Sequence, residues 1–232
     1  IDPKKVISNT YRLDKEHLMI LITGPNTGGK TVSLKVMGLA CLMAYSGIPL
    51  VCDSADVPLF DQLFVDIGDD QSIQQSLSTF SSHLTKLIDV TQHATKDSFV
   101  LLDELGGGTD PVEGESLAIA ILETLRDRGV STVATTHYTR LKQYAMQHEN
   151  VLIASVQFDM EEMKPNYKYV EQLPGQSFAF EIAERFGLSP SILEKAVEIR
   201  ESFKSVAEKQ LETIERQMAE LYQREENLKQ LE

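Results

Sequence analysis

A chain of 232 residues is long enough to bury a sizeable core. Its formal net charge of −13 argues against a free-standing nucleic-acid-binding surface, because such surfaces are normally basic and no Lys/Arg-rich run is present here. The sequence shows no signal-peptide pattern and no uninterrupted apolar stretch of about 18 or more residues that would span a bilayer.

The chain begins at Ile1 without a methionine and stops inside a helical pattern, so we expect a piece of a longer protein. We expect that protein to be cytoplasmic. Its two cysteines, Cys41 and Cys52, have no His or Cys at the spacing of metal ligands. We expect both to be buried thiols in a reducing compartment rather than a disulfide.

The first predicted elements form a strand, a loop and a helix. Residues 1–17 are an irregular lead-in, in which Tyr11 and Ile7 are candidates for packing on a nucleotide base, although ordinary packing is the favoured interpretation. The apolar run 18–23 predicts a buried strand, and residues 32–44 predict a largely buried helix.

The eight residues between them, here called the glycine loop, fit the phosphate-binding pattern Gly-x4-Gly-Lys-Ser/Thr. They are Gly24, Pro25, Asn26, Thr27, Gly28, Gly29, Lys30 and Thr31. A strand, a glycine-rich loop and a helix start place N–H groups and the helix dipole around an anion, whereas an ordinary glycine turn needs no such context. We therefore predict a nucleotide site, with Lys30 on the β- and γ-phosphates and the Thr31 hydroxyl on magnesium.

The following segments alternate strands and helices. Predicted strands cover residues 47–52, 63–68, 98–104 and 130–136, and predicted helices cover 78–93 and 114–128. This alternation favours an α/β fold with a mostly parallel sheet flanked by helices. Ligands of such folds bind beyond the carboxyl ends of the strands, where Gly24, Asp103, Glu104 and His137 are all expected.

Asp103 and Glu104 follow an apolar strand, as in the Walker B motif of nucleotide-hydrolysing enzymes. We assign Asp103 to the magnesium shell and Glu104 to orienting or deprotonating the attacking water, in preference to a solvated turn. His137 follows the next strand, where a neutral imidazole could bond the γ-phosphate or the water. A histidine used only for packing is the alternative.

No Arg is obviously positioned as a finger on the transferred phosphate, a group worth about 10³–10⁵ in rate. A second subunit is the simplest source of the missing group. Ser78 and Thr79, predicted at the N-cap of a helix, could supply N–H groups and hydroxyls to a neighbour's γ-phosphate in trans.

The C-terminal third predicts a hairpin, a helix pair and a long helix. Residues 151–161 and 167–173 should pair around a turn at 164–166. Helices over 177–186 and from Ser189-Pro190 onwards should form a helix-turn-helix, which we assign to packing or dimerisation rather than DNA reading because it is acidic. From Ala207 a heptad-like pattern predicts the start of a coiled coil, with a solvated single helix as the alternative.

Four ordered motifs resemble those of the MutS family ATPase domain. They are the glycine loop, Ser78-Thr79-Phe80, Asp103 to Thr109, and Thr135-Thr136-His137-Tyr138. Gly107, Asp110-Pro111, the turn 174–177 and the acidic tail resemble the MutS-two branch rather than the mismatch-repair branch.

The resemblance implies a P-loop NTPase of the ABC-ATPase type that uses ATP and Mg2+ as a homodimer. Catalytic residues would be Glu104, His137 and Lys30, metal ligands Thr31 and Asp103, and groups in trans Ser78 and Thr79. It further implies an ATPase core over 1–174, a dimerisation segment over 175–200 and a coiled-coil-like tail over 201–232. In the family, upstream clamp segments grip the substrate, and the MutS-two branch carries a C-terminal Smr nuclease-like domain.

Members of the branch are associated with suppressing recombination through branched DNA and with splitting collided ribosomes. The expected partners are therefore DNA, the ribosome with its rRNA, or both, bound through segments outside this sequence. The alternatives are a mismatch-repair MutS ATPase, which an upstream mismatch-reading domain would reveal, and a structural dimerisation module that does not hydrolyse ATP. A transporter or chromosome-organising ABC ATPase is disfavoured because no Leu-Ser-Gly-Gly-Gln signature is present.

Overall fold

The computed structural model describes residues 6–25, 28–68, 76–159 and 162–229. Strands in these ranges are β1 (Met19–Thr23), β2 (Leu63–Asp66), β3 (Phe99–Leu102), β4 (Ser131–Thr135), β5 (Val151–Asp159) and β6 (Lys164–Glu171). Helices are α1 (Lys30–Tyr45), α2 (Ser76–His93), α3 (Pro111–Asp127), α4 (Thr139–Gln147), α5 (Ala179–Arg185), α6 (Pro190–Phe203) and α7 (Val206–Lys229).

The six strands form one sheet in the order β2-β3-β4-β1-β5-β6. The first five are mutually parallel, and only β6 is antiparallel, paired with β5 at the edge. Consecutive residues of β1 belong to different cores: Met19 and Leu21 pack with α2, α3 and α4, whereas Ile20 and Ile22 pack with α1. The predicted α/β fold with a mostly parallel sheet flanked by helices is confirmed.

The strand order places the candidate residues together at the carboxyl ends of the central strands. β1 lies between β4 and β5, and β4 lies between β1 and β3. Because these strands are parallel, the glycine loop after β1, Asp103-Glu104 after β3 and His137 after β4 all leave the sheet on the same side.

The predicted strand over residues 47–52 is wrong. The chain turns at Gly47, where φ is 68°, and residues 48–53 form no strand. Val51 is fully exposed, and no strand within the described ranges pairs with this apolar segment. Cys52, expected to be buried, is exposed, whereas Cys41 is buried as predicted.

The hairpin is confirmed, but its predicted turn is misplaced. Residues 164–166 lie inside β6, and the connection between the strands falls before Lys164. Pro165 is tolerated there because β6 is an edge strand. The N–H that Pro lacks is not needed for a hydrogen bond to a second neighbouring strand.

Helix α4 was not anticipated. Its apolar residues Leu141, Tyr144 and Ala145 are buried at i, i+3 and i+4, which is the signal that identifies a short amphipathic helix.

Two helices begin earlier than expected. α2 is already helical at Ser76, so Ser78 and Thr79 lie in its first turn and not at an N-cap. α3 begins at Pro111, because the Asp110 carboxylate accepts bonds from the N–H groups of Val112 and Glu113 at 3.0 and 3.2 Å.

The described C-terminal helices differ in how they contact the sheet domain. α5 and α6 are joined by residues 186–189 and contain no buried residue. α7 folds back and buries Leu211 and Glu215. None of the helices in the described ranges has the length and apolar character needed to cross a bilayer.

Candidate functional site

The glycine loop bends tightly between β1 and α1. Gly24 and Gly29 have φ values of 122° and 102°, which L side chains rarely adopt, and Gly29 is the N-cap of α1. A Cβ on Gly28 would lie 3.3 Å from the Val156 carbonyl oxygen. The loop backbone therefore runs close to β5, and the first N–H groups of α1, which have no intrahelical partners, lie at the end of the loop. Asn26 and Thr27 lie outside the described residues.

Lys30, the second-last residue of the glycine loop, is 3% exposed and folds back over it. Its Nζ donates a hydrogen bond to the Gly24 carbonyl at 2.6 Å. Burial lowers the pKa of Lys30 to about 8, although the negative charges of Glu104 and Asp103 act in the opposite direction. The two carboxylates therefore lie within electrostatic reach of this ammonium.

The pKa of Lys30 makes anion binding sensitive to pH. A triphosphate favours the charged ammonium, which the free protein loses as the pH rises through about 8. We expect the dissociation constant for Mg-ATP to increase above pH 8, by up to about tenfold per unit, with proton uptake on binding. Calorimetry at pH 7, 8 and 9 in buffers of different ionisation enthalpy measures both quantities. A dissociation constant that stays constant from pH 7 to 9 contradicts this role of Lys30.

Thr135, the last residue of β4, holds both carboxylate residues in place. Its hydroxyl donates to Asp103 Oδ1 at 2.5 Å, and its Oγ1 accepts from the Glu104 N–H at 2.8 Å. The Asp103 N–H donates in turn to the Asp66 carbonyl at 2.8 Å. Asp103 is thereby fixed between β2 and β4. This positioning role of Thr135 was not predicted, although the residue belongs to one of the quoted motifs.

Glu104 has an unusual backbone conformation for a residue other than glycine. Its φ is 48°, which places it in the left-handed region. The Gly107 N–H donates to the Glu104 carbonyl at 3.0 Å and closes the turn. Such strain persists only where the surroundings enforce it, and it is typical of functional sites.

Thr31 and Asp103 carry oxygen donors of the kind that Mg2+ prefers. Thr31 is the second residue of α1 and is half-buried, next to Lys30. Asp103 accepts a hydrogen bond on one oxygen and contributes negative charge at Lys30. Hydroxyl and carboxylate oxygens, completed by phosphate and water, are the donors that Mg2+ prefers. These residues are therefore suitable ligands for the ion that Mg-ATP would bring.

His137 lies just beyond the carboxyl end of β4, as expected. The residue is exposed overall, but partial desolvation of its ring and, second, the positive charge of Lys30 lower its pKa. The imidazole is therefore neutral at pH 7 and within electrostatic reach of the Lys30 ammonium. Its ring packs on that of Tyr138, with 4.3 Å between the centroids.

Ser78 and Thr79 are placed only by their backbone, in the first turn of α2. Their side chains lie outside the described part of the molecule. Their proposed action in trans thus stays a prediction.

Tyr167 lies beside the glycine loop, and the sequence analysis did not predict this position. Its φ is 56°, its side chain is half-exposed, and a Cβ on Gly29 would lie only 2.7 Å from its ring. Asn9 anchors the lead-in beside it: its amide donates to the Tyr167 carbonyl at 2.8 Å and accepts from the Tyr169 N–H at 2.9 Å. An aromatic face thus borders the glycine loop. No local pattern signals it, because the contact joins positions far apart in the chain.

Comparison with known proteins gives the same family for the matching domain and for the similar proteins. A family model described as MutS domain V matches residues 20–204. A protein named Endonuclease MutS2 from Caldanaerobacter subterraneus is 51% identical over 197 residues, covering 84% of this chain and 25% of that protein. Proteins of the same name from Streptococcus thermophilus and Lactococcus lactis are 48% and 47% identical over 97% and 100% of this chain. The chain spans 29% and 30% of their respective lengths.

Proposed function

This chain belongs to the MutS family and matches its MutS2 branch, and we propose that it is a P-loop ATPase of the ABC type that hydrolyses ATP with Mg2+ as half of a homodimer. One observation carries the proposal. Lys30 is buried at the glycine loop after β1 and lies within electrostatic reach of Asp103 and Glu104, which follow β3 in the same sheet. A phosphate-binding loop and two acidic groups therefore meet at one edge of the sheet, where hydrolysis of a phosphoanhydride needs them.

The residues divide the work of hydrolysis by their chemistry. The N–H groups at the start of α1 and the Lys30 ammonium bind the β- and γ-phosphates. Thr31 and Asp103 would hold Mg2+, which would supply positive charge to neutralise the phosphates. Glu104 orients the attacking water and accepts its proton, while the neutral His137 ring offers a hydrogen bond to that water or to the γ-phosphate.

The homodimer is supported by the helix pair α5 and α6. Neither helix buries a residue, and Phe186 and Phe203 are both 83% exposed. Ile192 and Ile199 on α6 are 51% and 58% exposed. Exposed apolar side chains on a helix pair that buries none of its own residues are typical of an interface. We propose that the helix-turn-helix pairs with a second copy and that Ser78 and Thr79 of one protomer complete the site of the other.

The biological role is proposed at the level of the longer protein. The relatives are named endonucleases, and this chain spans only about a quarter to three tenths of their length. We propose that ATP hydrolysis drives a clamp built from other segments, acting on branched DNA, on stalled ribosomes or on both. Any nuclease activity would lie in a further domain, such as the Smr domain that the family resemblance implies.

Substrate trapping tests this role. A MutS2-length protein carrying Glu104→Gln should bind ATP without completing hydrolysis and should therefore hold its substrate. Cross-linking in cells, followed by sequencing of the bound DNA and RNA, distinguishes branched DNA from rRNA. Recovery of neither above the level of a Lys30→Met control contradicts the clamp.

A further inference from the structure

A buried ion pair joins α4 to the C-terminal helix α7. Lys142 Nζ lies 3.1 Å from Glu215 Oε1, and each side chain is only 9% exposed. Lys142 also donates to the Gly175 carbonyl at 2.5 Å. Removing two charges from water is costly and is offset only when both are well partnered. The site described above uses neither residue.

Gly175 connects this pair to the glycine loop. Its N–H donates to Thr23 Oγ1 at 2.7 Å, and a Cβ on Gly175 would lie 2.4 Å from the Gly24 Cα atom. Gly175 therefore lies directly on the residue at which the glycine loop begins. The charge of Lys142 also reaches Lys30. Burial is the main cause of the lowered pKa of Lys30, and the positive charge of Lys142 lowers it further.

α7 is held to the core by few contacts. Leu211 is 6% exposed, Glu215 pairs with Lys142, and the Lys168 ammonium lies 5.6 Å from the centre of the Tyr222 ring. The heptad residues Ile214, Leu221 and Leu228 face solvent, with exposures of 42%, 59% and 64%. Of the described heptad residues, Leu211 is buried, Met218 is half-buried and these three are exposed. Apolar burial therefore holds α7 only modestly, and the Lys142–Glu215 ion pair is one of its contacts with the core.

We propose that Lys142 is a positioning residue linking α7 to the glycine loop, and that seating of α7 and binding of nucleotide oppose each other. Nucleotide phosphates at Lys30 bring negative charge into the field of Lys142, where they compete with the Glu215 carboxylate for its attraction. By thermodynamic reciprocity, a bound nucleotide weakens the seat of α7 to the same extent that the seat weakens nucleotide binding. The inference rests on the proposed function, since it requires a phosphate ligand at Lys30.

Removal of the Glu215 carboxylate tests whether the ion pair weakens nucleotide binding. We expect Glu215→Gln in the full chain to bind a non-hydrolysable Mg-ATP analogue about fivefold more tightly than the parent, as measured by calorimetry. Glu212→Gln is the matched control, because Glu212 lies one turn earlier on α7 and pairs with Lys204 with a side chain that is 48% exposed. This control should bind as the parent does. Unchanged or weaker binding by Glu215→Gln overturns the proposal.

A second experiment tests whether bound nucleotide loosens α7, and it leaves the Lys142–Glu215 pair intact. The chain contains no Trp, so Tyr222→Trp supplies a single fluorophore on the seated face of α7. We expect the analogue to increase quenching of this Trp by acrylamide, and unchanged quenching overturns the opposition. If the parent binds no nucleotide, the proposed function itself fails; if the parent binds it and neither readout changes, only this inference fails.

Discussion

Glu104→Gln is expected to lower kcat for ATP hydrolysis by about 10²–10⁴ while leaving Mg-ATP binding close to that of the parent. The substitution keeps the size and hydrogen-bonding shape of the side chain but removes the group that accepts the proton of the attacking water. It adds no backbone strain, because Gln is no less suited than Glu to the positive φ of 48° at this position. Lys30 and the N–H groups of α1, which bind the phosphates, are unaffected.

Steady-state hydrolysis and equilibrium binding of a fluorescent ATP analogue measure the two effects separately. Glu123→Gln is the matched control, since Glu123 is an exposed carboxylate on α3 and should leave both quantities unchanged. Lys30→Met should instead lose binding and hydrolysis together. Hydrolysis at the parent rate by Glu104→Gln contradicts its assigned role.

Disruption of the helix pair α5 and α6 is expected to lower the rate of ATP hydrolysis, although it changes no residue of the nucleotide site. The double variant Phe186→Ser/Phe203→Ser should be monomeric, and its hydrolysis per protomer should fall by about 10³ or more if a group in trans completes the site. Both side chains are 83% exposed in the single chain, so their removal costs the fold of the protomer little. The loss would therefore come from association.

Sedimentation velocity and steady-state hydrolysis, performed on the same samples, measure this prediction. Leu59→Ser is the control, because Leu59 is 89% exposed and lies between α1 and β2, away from the helix pair in sequence. An unfolding transition matching that of the parent would establish that the double variant is folded. A monomer that hydrolyses ATP at the parent rate contradicts the composite site.

The strand, glycine loop and helix at the start of the chain could be predicted because their signals are local. An apolar run, closely spaced glycines and a helical apolar pattern specify them within a few residues, and the strand-helix alternation then predicts the parallel sheet. The meeting of Lys30 with Asp103 and Glu104 follows from the topology. It did not require knowledge of any single side-chain contact.

Other features could not be predicted because their causes are not local. The segment 47–52 has the composition of a strand but no partner strand, and Pro165 resembles a turn residue although an edge strand accommodates it. Tyr167 reaches Gly29 only through the fold of the hairpin. The Lys142–Glu215 pair joins positions 73 residues apart, and the heptad pattern of α7 carries no signal of this contact with the core.

Hydrolysis per protomer as a function of protein concentration tests the central claim most directly. If each site needs groups from a second copy, the specific activity should be low at concentrations well below the dimer dissociation constant and should rise to a plateau well above it. The midpoint of that rise should coincide with the midpoint of association measured by sedimentation. A full specific activity that is independent of concentration, in samples shown to be monomeric, would contradict a site completed in trans.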